Sequence, residues 1–304
     1  PDLLSVNDIS RSTVNENNPE SMEIAAIPLL DIGLALDVLE TSFPTLSRSF
    51  FHSLIARDPA YRPEFSLGIR QGRIVQSFMQ IFPRTFLLHG ETINIGGIGC
   101  VATRKNHRGK GYASALMEHA VRIMRQNAMM GGMLFTTIQP FYERLGWRLL
   151  PLFEWDLAVD CLFKLPYRPD WNRGLRKSDY PFLQSIYETM QSRHEGGIVR
   201  TEAYWRARES WLTHFPVLIV EEGEIWGYFY YAQFDLMQPV MTVTEYGYVR
   251  AEERILNRLM RVIARKAEEI NCRIVRGFFH VDPFFCAYCE ERKMKSGIRD
   301  FHYV

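Results

Sequence analysis

No stretch of this chain approaches the roughly 20 consecutive apolar residues that span a bilayer, so we expect no membrane-crossing helix and no membrane partner. Neither sign of charge is in excess: 36 Lys and Arg against 35 Asp and Glu leave a net +1. A protein that tracks a phosphate backbone needs a basic surplus or a local basic patch, and we expect no nucleic-acid partner. Cysteine is scarce and odd in number, five in 304 residues, which excludes a disulfide scaffold. Only Cys286 and Cys289 are closely spaced. Without a second pair or a well-placed His they read as ordinary helix thiols, and we expect no metal. Free thiols and the absence of a secretory leader point to the cytoplasm. There is no initiating Met, so the sequence is expected to begin inside the gene product or after processing.

What is present is a chain that is 47% apolar and 23% charged, able to bury full cores and long enough for about two domains. Residues 1–21 are polar and rich in Asn, Ser and Glu, and read as a flexible lead-in. From Asp31 the positions Ile32, Leu34, Ala35, Val38 and Leu39 describe an amphipathic helix that stops near Phe43-Pro44, and a second helix is predicted over 46–57. Strands follow at 65–70 and 74–82. Pro83 ends the latter, a short segment covers 86–88, and Gly90 turns the chain into a strand over 93–103.

That strand runs directly into Arg108-Gly109-Lys110-Gly111-Tyr112-Ala113. The glycines let the turn take backbone angles closed to other residues, so the amides of residues 110–113 can point outward together. A helix starts at once, with Ala113, Leu116, Met117, Ala120 and Met124 at helical spacing. The turn's amides therefore coincide with the positive end of a helix dipole, beside two cations, Arg108 and Lys110. Such a site suits a diphosphate. Downstream, residues 133–138 read as a short buried strand leading into Gln139-Pro140-Phe141-Tyr142-Glu143-Arg144-Leu145-Gly146-Trp147, with Pro at a helix start and Gly at its stop.

The first of these motifs resembles the R-x-x-G-x-G/A signature of the GCN5-related N-acetyltransferase (GNAT) superfamily, whose loop binds the pyrophosphate of acetyl-coenzyme A. The second resembles the F-Y-E-K-L-G-F element of the same superfamily, at the expected distance after that loop. The resemblance implies acetyl-CoA as co-substrate and Tyr142 as the catalytic proton donor to the departing thiolate. It also implies backbone pairing of Val101 and Thr103 with pantetheine and a diphosphate held by Arg108, Gly109, Lys110, Gly111, Tyr112 and Ala113. Thr137 and Arg144 would flank the coenzyme.

After a linker at 166–169 the pattern recurs. Residues 218–226 align with 67–75, residues 247–249 with 99–101, and the helix predicted over 251–270 takes the place of the phosphate-loop helix. This second copy has Glu252 and Glu253 where the first has its glycine turn, which would repel a diphosphate. Cys289 stands near the place of Tyr142. A working domain over 22–160 followed by a degenerate one over 161–304 resembles the enhanced intracellular survival (Eis) family, as does the stretch from Arg200 to Trp205. The fold class expected is α/β, of the α+β kind: tandem GNAT folds, each a mixed, mostly antiparallel central sheet flanked by helices. That family carries a third domain, similar to sterol carrier proteins, whose terminal carboxylate is the general base; here it is expected to be absent or truncated. The base is left open between water, Glu40, His52 and His89.

The activity implied is transfer of an acetyl group to a primary amine, on an aminoglycoside-like polyamine or a lysine-containing peptide, by direct attack in a ternary complex. Acids near the first helices, Asp37 and Glu40 with Asp58 and Glu64, could draw in such cations. A non-catalytic acetyl-CoA sensor is the alternative. The resemblance also implies a homo-oligomer, as a hexamer.

Overall fold

The structure, a computed structural model, describes residues 23–162, 166–192, 197–210, 216–233, 237–278, 282–292 and 296–303; the lead-in at 1–21 lies outside these. Strand β1 (Glu23–Ala26) precedes helices α1 (Ile32–Ser42) and α2 (Arg48–Ala56). Phe43 ends α1 outside the helical region (φ −128°, ψ 71°), where the clash with the following proline pushes it. The Ser47 hydroxyl caps α2 by accepting from Phe50 N at 3.1 Å. Then come β2 (Ser66–Gln71), β3 (Ile74–Leu88), β4 (Glu91–Thr103), α3 (Tyr112–Gln126), β5 (Gly131–Thr136) and α4 (Gln139–Glu143). The chain continues through β6 (Leu150–Ala158), α5 (Val159–Leu162), β7 (Asn172–Gly174), α6 (Tyr180–Gln191), β8 (Gly197–Ile198) and α7 (Glu202–Glu209). It finishes with β9 (Val217–Glu221), β10 (Glu224–Ala232), β11 (Val240–Tyr248), α8 (Glu253–Glu269), β12 (Ile274–Phe278), α9 (Pro283–Glu291) and β13 (Ser296–Tyr303). No helix among the described residues is long and apolar enough to cross a membrane.

These elements form two compact units. The first holds the described residues up to 149, a returning segment from Ile198 that carries α7, and residues 302–303; the second holds the rest. The division differs from one cut near residue 160. β6 packs with the second unit, and the segment carrying α7 comes back to the first, because strand pairing over long sequence distances decides membership and local periodicity does not report it.

In the first unit β1, β2, β3, β4 and β5 lie side by side in that order, antiparallel except for β5 alongside β4. Residues 302 and 303 pair with Thr136 and Phe135 at the outer side of β5. Alternation along β3 sorts the two cores: Phe78 and Phe82 face the cluster built with α1 and α2, while Met79 and Ile81 face the cluster built with α3.

Two local expectations are corrected here. Pro83 does not end β3, which runs on to Leu88, because its missing N–H lies on the side away from β4. Thr85, two residues on and therefore oriented alike, turns its carbonyl to that side and accepts from Val199 N at 2.7 Å. The strand read as buried over 133–138 is Gly131–Thr136, and it carries Phe135 at 74% exposure, with Ile138 beyond it at 58%.

The second unit orders its strands β6, β12, β11, β10, β9, β7, with β12 parallel to β11 and the other pairs antiparallel. Its parts recur in the sequence of the first: a hairpin (β9–β10), a third antiparallel strand, a long helix and a parallel strand. The repeat read at 67–75 and 218–226 falls on the β2–β3 and β9–β10 hairpins. Both units are thus mixed sheets flanked by helices.

Candidate active site

The site in the first unit begins where β4 and β5 part. Their parallel pairing starts at Ile95–Gly131 and ends at Ile98–Leu134, whereas β4 stays paired to β3 as far as Thr103. Beyond Ile98 no described strand pairs with β4 on its β5 side. At the parting point the register with β3 shifts, and Cys100 takes a left-handed backbone (φ 57°), the signature of a bulge that re-aims the strand. Burial pushes the Cys100 thiol up to about 12, so it stays protonated and is no nucleophile. A notch of this kind, with strand amides at its wall, can receive an extended chain ending in a thioester.

The strand's exit leads straight to the glycine turn, the cradle expected to hold a phosphate. Arg104 is pinned to β3, its backbone N donating to Gln76 O and its Nε to Val75 O, each at 2.8 Å. Arg108 Nε donates to Thr103 O at 3.1 Å, which sets that cation beside the turn. His107 stacks on Tyr112 at 5.8 Å and bridges the turn to the first residue of α3. Gly109 (φ 78°) and Gly111 (φ 82°) both adopt the left-handed conformation, and a Cβ placed on either would meet nothing within 4 Å. Gly111 is the N-cap of α3, no side chain caps it, and no acid lies in the first turn. The leading amides of a helix have no intrahelical acceptor, so those of Tyr112 and Ala113 are available to an anion. Arg108, Lys110, two left-handed glycines and the uncapped start of α3 are thus gathered within six consecutive residues.

Tyr142 sits on α4, immediately after β5. Ile138 N donates to Thr136 Oγ1 at 3.0 Å, turning the chain into the helix, and Gly146 (φ 85°) ends it, with Trp147 N donating back to Tyr142 O at 3.2 Å. The ring is buried, 6% exposed, with Phe141 edge-on at 4.9 Å and Trp147 at 6.5 Å. Val101 and Tyr112 pack against the same apolar cluster, so β4, the cradle and α4 share one core. Burial raises the phenol above its ordinary value of 10.0, and a hydrogen bond with the Thr136 side chain offsets part of this. A tyrosine in that state is a proton donor across the neutral range.

The remaining sequence candidates are dispersed. Thr137 and Arg144 are exposed, one before α4 and one at its C-cap. Asp37 and Glu40 lie exposed on α1, and both face Arg48, at 2.6 and 3.6 Å; that guanidinium also donates to Gly33 O, joining α1 to α2. Asp58 is buried against Arg84, a neighbour that the linear sequence does not reveal, and Glu64 lies 3.8 Å from Arg62, two residues before it. His89 falls in the β3–β4 turn with Gly90, both at positive φ. At about 3.3 Å per residue along β4 that turn is roughly 30 Å from Cys100, too far for a base. Glu40, His52 and water remain.

The structure also supplies residues the sequence did not mark: Phe82, whose Cε2 atom would lie 2.9 Å from a Cβ on Gly99, and behind it Arg84, which meets Tyr204 of the stretch at 200–205. The glycine at 99 is the only hint of that close approach visible in the sequence.

In the second unit aromatic rings follow the point where β11 and β12 part. Pairing of β11 with β12 stops at Val243–Gly277. Beyond it Tyr246 and Tyr248 stack at 6.2 Å, Phe285 lies 5.2 Å from Tyr246, and Tyr288 follows at 6.4 Å. The Tyr248 hydroxyl donates to the buried Asp282, which also caps α9 by accepting from Phe284 N at 3.0 Å. α8 has Glu252 as its N-cap and Glu253 in its first turn. Burial raises both thiols of α9, Cys289 to about 12, and among the described residues no group of three or more metal-binding side chains gathers.

Comparison with known proteins bears on the fold and on residues 31–150. Residues 31–150 match a family model described as an acetyltransferase (GNAT) domain. No curated protein matches the chain in sequence. Among solved structures, a GCN5-related N-acetyltransferase from Anabaena variabilis superposes with a TM-score of 0.69 at 16% identity, covering 93% of this chain and 71% of that one. A GCN5-related N-acetyltransferase from Kribbella flavida gives 0.67 at 19%, covering 93% and 70%. N-myristoyltransferase from Saccharomyces cerevisiae, solved with bound myristoyl-CoA, gives 0.64 at 13%, covering 100% and 85%. At these identities the neighbours speak for the fold, and the family match speaks for the domain. The chain carries a GNAT acetyltransferase domain and is an acyltransferase.

Proposed function

We infer that the first unit transfers the acetyl group of acetyl-CoA to a primary amine by direct attack. The observation that carries this is the uncapped, acid-free start of α3, with two empty left-handed glycines, at the mouth of the notch between β4 and β5 and in one core with the buried Tyr142. The residues from Arg108 to Ala113 hold the diphosphate, and the open edge of β4 around Val101 and Thr103 aligns the pantetheine arm. Strand amides at the bulge donate to the thioester oxygen as negative charge develops on it.

An amine is protonated at neutral pH, so a base, Glu40, His52 or water, takes one proton before attack. The amine nitrogen then bonds to the acetyl carbon, the carbon–sulfur bond breaks, Tyr142 supplies the proton that the leaving sulfur takes up, and the second proton shed by the acylated nitrogen restores the phenol. The protonated state of Cys100 argues against an acetyl-cysteine intermediate.

Because burial raises the Tyr142 phenol above 10.0, the donor remains loaded through pH 9. The expected rate profile at saturating acetyl-CoA therefore climbs as the amine and base deprotonate and shows no fall below about pH 10. A descending limb centred below pH 9 would remove Tyr142 from this role.

The acceptors to try are polyamines such as kanamycin-type aminoglycosides and lysine-rich peptides, in keeping with the Eis-like pairing of a working unit with a silent one. The aromatic filling of the second unit and its acid-led helix support reading that unit as a copy that binds no cofactor. Mass spectrometry after incubation with acetyl-CoA should show one or more acetyl additions. Myristoyl-CoA, run in parallel, tests whether the notch takes longer chains. Tight acetyl-CoA binding with no acetylated amine across the panel would convert the assignment to a sensor.

A further inference from the structure

The segment that returns to the first unit brings an unusual set of side chains against β3. Val199 N donates to Thr85 O at 2.7 Å, and Thr201 caps α7 by accepting from Tyr204 N at 3.2 Å, so the entry to the helix is fixed at both ends. From there rings and guanidinium groups alternate. Arg208 lies over Trp205 at 5.8 Å, Arg200 over Trp205 at 4.8 Å and over Tyr204 at 5.9 Å, and Arg84 over Tyr204 at 5.1 Å and over Phe82 at 5.5 Å. All of these residues belong to the first unit. A guanidinium attracts the face of a ring on either side of it, so such a column is stiff along its length.

The column ends at the reaction centre. Phe82 pairs with Gly97 in the β3–β4 register, and its ring edge lies where a Cβ on Gly99 would be, 2.9 Å away. Gly99 is the first residue of β4 past the last β5 partner, one position before the bulge. Phe82 therefore lines the notch on the face that carries α1 and α2. At its other side Arg84 is held by both oxygens of the buried Asp58, at 3.2 and 2.5 Å. That ion pair offsets the charge of the guanidinium nearest the notch.

We propose that α7 is a positioning element for the amine acceptor, with Tyr204 clamping Arg84 and through it fixing Phe82 against the open edge of β4. The inference rests on the acetyltransferase reading of the first unit. It assigns a function to the stretch from Arg200 to Trp205 and makes the domain at 31–150 incomplete without a segment that lies beyond it in the sequence. Tyr204 touches neither substrate, so it acts on acceptor handling and not on cofactor affinity.

The test compares Tyr204→Phe with Tyr204→Leu in the full chain, using kanamycin and a lysine-rich peptide as acceptors and thiol release as the readout. Phenylalanine keeps the ring face; leucine keeps apolar bulk without it. The expected result is a Tyr204→Phe protein within about twofold of wild type and a Tyr204→Leu protein with kcat/KM for the amine reduced about tenfold or more. The Kd for acetyl-CoA stays within about twofold in both. Equal loss in the two variants, loss of acetyl-CoA affinity in step with activity, or an unchanged Tyr204→Leu protein would overturn the inference. Absence of amine-dependent thiol release in the wild-type protein would instead overturn the reading it rests on, and the inference with it.

Discussion

Gly111→Glu is expected to weaken acetyl-CoA binding by about 100-fold or more, read by calorimetry, with the fold retained. Three effects act at one atom. Gly111 holds φ at 82°, where any L side chain costs roughly 1–2 kcal/mol. The added side chain enters space in which a Cβ now meets nothing within 4 Å, the space we assign to the diphosphate. A carboxylate at the N-cap of α3 satisfies the amides that would otherwise bind the ligand, an effect of about 0.3–1 kcal/mol before direct repulsion between like charges. Gly111→Ala separates these, since it carries the strain alone and should lose stability while keeping most of the affinity. If the Glu variant bound as tightly as wild type, the cradle would not be the diphosphate site.

Tyr142→Phe gives the second large effect, on a different parameter. The ring stays in its packing between Phe141 and Trp147 and only the hydroxyl is lost, so stability and the Kd for acetyl-CoA should change little. Removal of a positioned proton donor lowers kcat by about 100-fold or more. A variant with unchanged kcat would reduce Tyr142 to a packing residue. Between them the two substitutions separate binding from chemistry: one should abolish saturation, the other should leave a saturable, slow enzyme.

What could be read in the sequence was local. The turn from Arg108 to Ala113 and the helix from Gln139 are each specified by residues a few positions apart, glycine where φ must be positive and proline where a helix begins, and both stand where the pattern puts them. The acids at 37, 40 and 58 were legible as charges but not as pairs, because Arg48 and Arg84 reach them from other elements. Pro83 looked like a terminator because a residue's strand side cannot be known before its neighbours are. The column from Phe82 to Arg208 joins positions over a hundred residues apart, and no periodicity encodes that.

The aromatic cluster of the second unit works as a keystone. Tyr246, Tyr248, Phe285 and Tyr288 belong to one core, and Tyr248 donates to the carboxylate that caps the next helix, so sheet and helix are tied at one place. Truncating these rings would open cavities there, at several kcal/mol for each large ring. A unit pinned in this way can change its surface far more freely than its interior.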